Sequence, residues 1–117
     1  MAFKRMVERL TKPVDELDRE QLSEYCDAHR FAAMDHLKAR RPVQVGGEVR
    51  AVRIVPRAGA PALEVTVSDG RGQVVAVFLA RRKIAGLSPG RRISIRGVIA
   101  RDGNRSLLFN PIYEILT

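Results

Sequence analysis

Hydrophobic positions change their spacing once along the chain, at Pro42. Before it, Phe3, Met6, Val7 and Leu10 fall at i, i+3, i+4 and i+7, one face of a short helix that Pro13 ends. A second helical region runs from Asp18 to about Arg40, its buried stripe supplied by Leu17, Leu22, Tyr25, Phe31, Met34 and Leu37, with a break near Ala28 to Phe31. Asp15 or Asp18 caps it, Asp18 standing three residues before Gln21. Acidic residues gather at its start and Lys38, Arg40 and Arg41 at its end, as the helix dipole favours.

After Pro42 the period becomes two. Val43, Val45, Val49, Val52 and Ile54 predict a long first strand with a bulge or bend near Arg50 to Val52. Pro56 to Pro61 reads as a loop, and Leu63, Val65 and Val67 alternate with Glu64, Thr66 and Ser68 in a half-buried second strand. Asp69-Gly-Arg-Gly72 turns the chain into a third strand, Gln73 to about Ala80, apolar on both faces. Arg81 to Ala85 predicts a short helix stopped by Gly86. A fourth strand follows from Arg92 to about Ala100, Asp102-Gly-Asn104 signals a hairpin, and a fifth strand, Ser106 to Leu116, is interrupted at Asn110-Pro111.

Five strands with a helix between the third and fourth is the order of an oligonucleotide/oligosaccharide-binding (OB) barrel. The expected architecture is therefore mostly β: residues 43–117 form a five-stranded OB-fold barrel, and residues 1–42 are a helical extension packed on it. Gly47 and Gly97 fall where a small barrel must bend. An open meander or split barrel is the competing topology.

Charge narrows the list of partners. Of the formal +8, residues 43–117 carry +7, from twelve basic and five acidic side chains. Such a field draws polyanions without choosing among nucleic acid, anionic lipid and acidic protein. No apolar run approaches the roughly 20 residues of a membrane helix, and charges at positions 4, 5, 8 and 9 break up any secretory signal, so a cytoplasmic protein off the membrane is expected. Cys26, His29 and His36 share one helical side but lack a fourth ligand, so neither metal nor cofactor is expected, and Cys26 with His29 lacks the third group of a catalytic pair. Asp69-Gly-Arg-Gly72 lacks the spacing and lysine of a P-loop.

Three stretches carry a resemblance: Val-Thr-Val-Ser-Asp-Gly-Arg-Gly at 65–72, Val-Val-Ala-Val-Phe-Leu at 74–79, and Leu-Ser-Pro-Gly-Arg-Arg-Ile-Ser-Ile-Arg-Gly at 87–97. They resemble the nucleic-acid-binding OB-fold family that includes anticodon-binding domains and the wedge domain of RecG-type branched-DNA helicases. Phe109-Asn-Pro-Ile-Tyr-Glu-Ile-Leu116 is similar to the close of that wedge. The whole chain also resembles small OB-fold proteins of high-GC Gram-positive bacteria. The resemblance implies a bacterial DNA-binding module with no enzymatic activity, whose protein partner would be a helicase or repair factor. The wedge's aromatic residues are missing from the Pro56–Pro61 loop, and the motor domains are absent.

The usual OB ligand surface lies on strands two and three between two loops. It maps to Arg57, Thr66, Ser68, Phe78, Arg101, Asn104 and Arg105, with Arg81, Arg82, Lys83, Arg91 and Arg92 as a secondary basic patch. Alternation leaves Phe78 either outward, as a stacking platform, or packed; Phe109 and Tyr113 are expected in the core or at its rim. With no tryptophan and few other aromatics, binding should be weakly sequence-dependent and dominated by phosphate contacts. The ligand favoured is single-stranded or branched DNA; an RNA-binding module and a protein-interaction adaptor are the alternatives.

Overall fold

The computed structural model describes residues 14–116. Helix α1 spans Val14–Ala28. A 3-10 turn at Met34–His36 follows, then seven strands: β1 Pro42–Arg57, β2 Ala60–Ser68, β3 Gln73–Leu79, β4 Arg92–Val98, β5 Ala100–Asp102, β6 Arg105–Phe109 and β7 Ile112–Leu116. The helix expected over residues 3–10 lies outside the described residues. Among the described residues no helix is long and apolar enough to cross a membrane.

The single sheet has the order β5-β6-β3-β2-β1-β4-β7, all pairs antiparallel except β3 with β6. The fold is mostly β, as expected, but there are seven strands rather than five, and the hydrogen-bonded order is open, ending in β5 and β7. Two breaks account for the difference. Only Ile99 separates β4 from β5, and only Asn110-Pro111 separates β6 from β7. Arg96 stands opposite Ile112 and Ala100 opposite Leu107, so four steps along one strand match five along the other. The four short strands are thus one long hairpin that slips by one residue at the breaks. Asn110 sits in the left-handed region at φ 46°, and Pro111 has no N–H to offer a ladder. Across that kink the chain moves from pairing with β3 to pairing with β4.

The bulge expected near Arg50 is present: the β1–β2 register shifts between Val49 and Ala51. The Pro56–Pro61 loop is not. β1 and β2 stay paired to Arg57↔Ala60, and the turn is Ala58-Gly59, both at positive φ (51° and 79°), as a two-residue hairpin turn requires. The short helix expected after β3 is also absent. Residues 80–91 form turns pinned by the buried side chains of Ile84 and Leu87, because five residues cannot repay helix nucleation.

The main core holds Val45, Val49, Leu63, Val65, Val67, Val74, Ala76, Ile93, Ile95, Ile99 and Leu108. A smaller cluster of Ala62, Val75, Val77 and Leu107 forms on the opposite face of β2, β3 and β6, so β3 is buried on both sides. Close approach fixes one glycine: a Cβ on Gly47 would overlap the Ser68 carbonyl.

The helical region proves shorter than its apolar spacing suggests. α1 ends at Ala28 because Arg30 turns left-handed (φ 60°) and Phe31 N–H bonds back to Cys26 O. Asp18, expected as a cap, lies inside the helix. Beyond it the chain is extended, Ala32 N–H donating to Gln44 O, and Met34 enters the core. Asp69, only 1% exposed, ties this segment to the sheet. Its carboxylate accepts Met34 N–H (2.8 Å), Arg71 N–H (2.9 Å) and Gly72 N–H (2.9 Å), and its carbonyl accepts the Ser23 hydroxyl (3.0 Å).

Candidate nucleic-acid interface

The face of β2 and β3 where contacts were expected is built around a buried carboxylate. Glu64, 3% exposed, stands on β2 facing away from the main core. It accepts hydrogen bonds from Arg53 (3.1 Å), Arg57 (3.2 Å) and Arg105 (3.2 Å). Burial pushes its carboxyl upward, but the hydrogen bonds from Arg53, Arg105 and Arg57 outweigh it and hold the group below its ordinary range. Two of the arginines expected to meet phosphate, Arg57 and Arg105, are therefore turned back onto the protein.

The other expected contacts divide. Phe78 is a core residue, 5% exposed and edge-on to Tyr113, so it offers no stacking face; a strand apolar on both sides gave no means of telling. The Ser68 hydroxyl accepts Gly70 N–H within the turn, and Thr66 is half-buried on β2. Arg101 donates to the Ser106 hydroxyl (2.8 Å) and to Leu37 O (2.7 Å). Asn104 is exposed in the two-residue β5–β6 turn. In the secondary patch Arg81, Arg82 and Lys83 are exposed, whereas Arg91 donates to Gly86 O and the Arg92 guanidinium lies 4.3 Å over the Tyr25 ring.

The structure opens a different site at the hairpin break. A groove of about 870 Å³ is lined by Ala39 and Arg40, by Arg96 to Arg101, and by Phe109, Asn110 and Ile112. It exists because Ile99 turns into the core and bonds to the segment before β1 instead of across the hairpin: Arg40 N–H donates to Ile99 O (2.7 Å), and Ile99 N–H to Arg41 O (3.1 Å). Val98, Phe109 and Ile112 remain 55%, 43% and 64% exposed beside it. Arg40 and Arg96 meet no acidic side chain among the described residues, unlike Arg19, Arg50 and Arg71, which pair with Asp15, Glu48 and Asp27.

Asn110 also lines the groove. Its side-chain oxygen accepts Leu79 N–H (2.9 Å), so the exposed run Arg81-Arg82-Lys83 starts two residues beyond that bond. Phe109 has the Arg57 guanidinium 5.4 Å from its ring centroid, a cation–π contact that joins the groove to the Glu64 cluster. Sequence reasoning missed Arg40 and Arg96 and left Phe109 in the core or at its rim. The available signal was an aromatic next to an Asn-Pro break, where a side chain loses its place in the ladder.

Cys26 donates to Gly46 O (3.2 Å) and His29 Nδ1 to Tyr25 O (2.9 Å), and among the described residues no three His, Cys, Asp or Glu side chains converge on a metal position. Burial above all, with the Asp69 charge adding, pushes the Cys26 thiol up to about 11. Native Cys26 is expected to react with an aromatic disulfide reagent at pH 7.5 roughly a hundredfold more slowly than in denaturant. Equal rates would mean that the α1 contact opens freely.

No protein-family model and no curated protein matches the chain. Among solved structures it is similar to a chain in a structure of a replication protein A heterotrimer bound to ssDNA, with a TM-score of 0.50 and 16% identity. The match covers 71% of this chain and 62% of that one, so this chain spans less than two thirds of its neighbour. The likeness establishes an OB-like fold and leaves the ligand to the chemistry of the surface.

Proposed function

We propose that this protein binds single-stranded or branched DNA weakly and with little regard to sequence, without catalysis of its own. The observation that carries this reading is where cations without an acidic partner among the described residues lie: Arg40 and Arg96 line the groove, and the exposed Arg81-Arg82-Lys83 follows Leu79, which is bonded to the groove's Asn110. Most other arginines are held by acidic or carbonyl oxygens of the protein itself. Guanidiniums beside exposed apolar side chains suit a strand that presents phosphates on one side and bases on the other. The fold shared with a replication protein A chain, seen in a complex with ssDNA, supports the reading.

Fluorescence anisotropy of the full chain with labelled single-stranded and duplex oligonucleotides tests it. Micromolar or tighter binding is expected at low salt, with log K falling against log salt at a slope of about −3, as about four phosphate contacts would give. The double variant Arg40→Glu, Arg96→Glu is expected to bind at least about tenfold more weakly with its fold unchanged. Absence of binding to either oligonucleotide at low salt would sink the proposal.

A further inference from the structure

We infer that the groove takes one unpaired nucleobase against Phe109, and that Glu64 and Arg57 position that ring from behind. The inference rests on the nucleic-acid reading above and assigns the part of the strand that the groove recognises. Phe109 lies on β6 opposite Val77, on the face that also carries Glu64. Phe109 is 43% exposed, lines the groove, and is the only aromatic among the groove's described lining residues. Arg57, itself hydrogen-bonded to Glu64, occupies one side of the ring at 5.4 Å. A flat apolar face remains for a flat apolar partner, and a cation behind a ring restricts its rotamers.

The surroundings select the occupant. Arg40 and Arg96 supply positive charge within the same groove, so the flat partner that suits it also carries an anion, as a nucleotide does. Asn110 gives its side-chain oxygen to Leu79 N–H, which leaves the amide NH2 as a donor toward a base carbonyl. A paired base in a duplex has both faces stacked and cannot meet Phe109. Recognition therefore reaches single strands, strand ends and the unpaired positions of a branch, and involves one base per protein molecule, because no second ring lines the groove among the described residues.

The chain has no tryptophan, so Phe109→Trp creates a single fluorescent reporter. With the full chain at low salt, oligo(dT) is expected to quench that fluorescence, whereas an abasic oligomer of equal phosphate count binds and leaves it unquenched. Phe109→Ala is expected to weaken oligo(dT) binding about tenfold while leaving duplex binding within about twofold. Arg57→Lys, which keeps the charge but loses the planar contact, is expected to weaken oligo(dT) by a few fold only while Phe109 is present. Equal quenching by the abasic oligomer, equal loss of single-strand and duplex binding in Phe109→Ala, or quenching by polyglutamate but not by oligo(dT) would overturn the inference. Circular dichroism of each variant separates these outcomes from misfolding. Failure of the unmodified chain to bind any oligonucleotide is the distinct result that removes the functional reading itself.

Discussion

Asp69→Ala is expected to destabilise the protein by about 4 kcal/mol, near the upper limit for a single substitution. The carboxylate is 1% exposed and satisfies three backbone N–H groups, those of Met34, Arg71 and Gly72. Alanine would leave the buried Met34 N–H and the part-buried Arg71 and Gly72 N–H groups without this acceptor and would free Met34 from the core it plugs. For a domain of this size such a loss lowers Tm by roughly 15–25 °C. Asp69→Asn separates the contributions: its oxygen can still serve Arg71 and Gly72, but its NH2 faces the Met34 N–H, so an intermediate Tm is expected. A thermal melt in which Asp69→Ala shifts Tm by less than about 5 °C would show that the anchor does not hold α1 and its linker to the sheet.

Glu64 governs the second large effect, on acid stability. Its carboxyl titrates below the ordinary range in the folded protein because three guanidinium hydrogen bonds prevail over burial. A group with a depressed folded value stabilises the fold above its unfolded value, about 4.3, and that stabilisation disappears as pH falls through the folded value. Stability should therefore hold from neutral pH to about pH 4.5 and drop below it. Glu64→Gln is expected to be less stable by about 2 kcal/mol at pH 7 and to show a flatter acid limb. It loses charge-assisted bonds but leaves Arg53 and Arg105 exposed enough to find water. Asp27, exposed and lowered by its Arg71 hydrogen bonds, adds a shallow dependence that the variant retains. Urea unfolding of both proteins from pH 7 to pH 3 checks the sign. Parallel curves would show that Glu64 is not the responsible group.

The sequence was most informative where backbone chemistry is local. Alternation located β2, the phase slip near Arg50 located the bulge, Asp102-Gly-Asn104 located the hairpin, and Asn110-Pro111 marked the break in the last strand. It failed where the deciding partner is remote. Residues 56–61 read as a loop because Ala58-Gly59 lacks the usual Asn-Gly signature, yet pairing of the long flanking strands imposes the tight turn. The face of Phe78 could not be read because β3 is apolar on both sides. In sequence Arg57 and Arg105 read as phosphate contacts and Arg53 carries no signal of its own. Only strand pairing brings them from β1 and β6 onto a glutamate of β2. The groove was illegible for the same reason, because its walls come from positions 39–40, 96–101, 109–110 and 112.

Ile99 has implications for modular reuse. Its backbone partners are Arg40 and Arg41, which precede the first strand, and Arg101 is braced on Leu37 from that same stretch. The sheet therefore does not own its candidate site outright. Grafting residues 43–117 into another protein would carry over Phe109 and Arg96 but would leave behind Arg40 and one side of the cleft. What looks like a leader to the sheet is a donated wall, and the smallest portable unit of recognition includes the linker between helix and sheet.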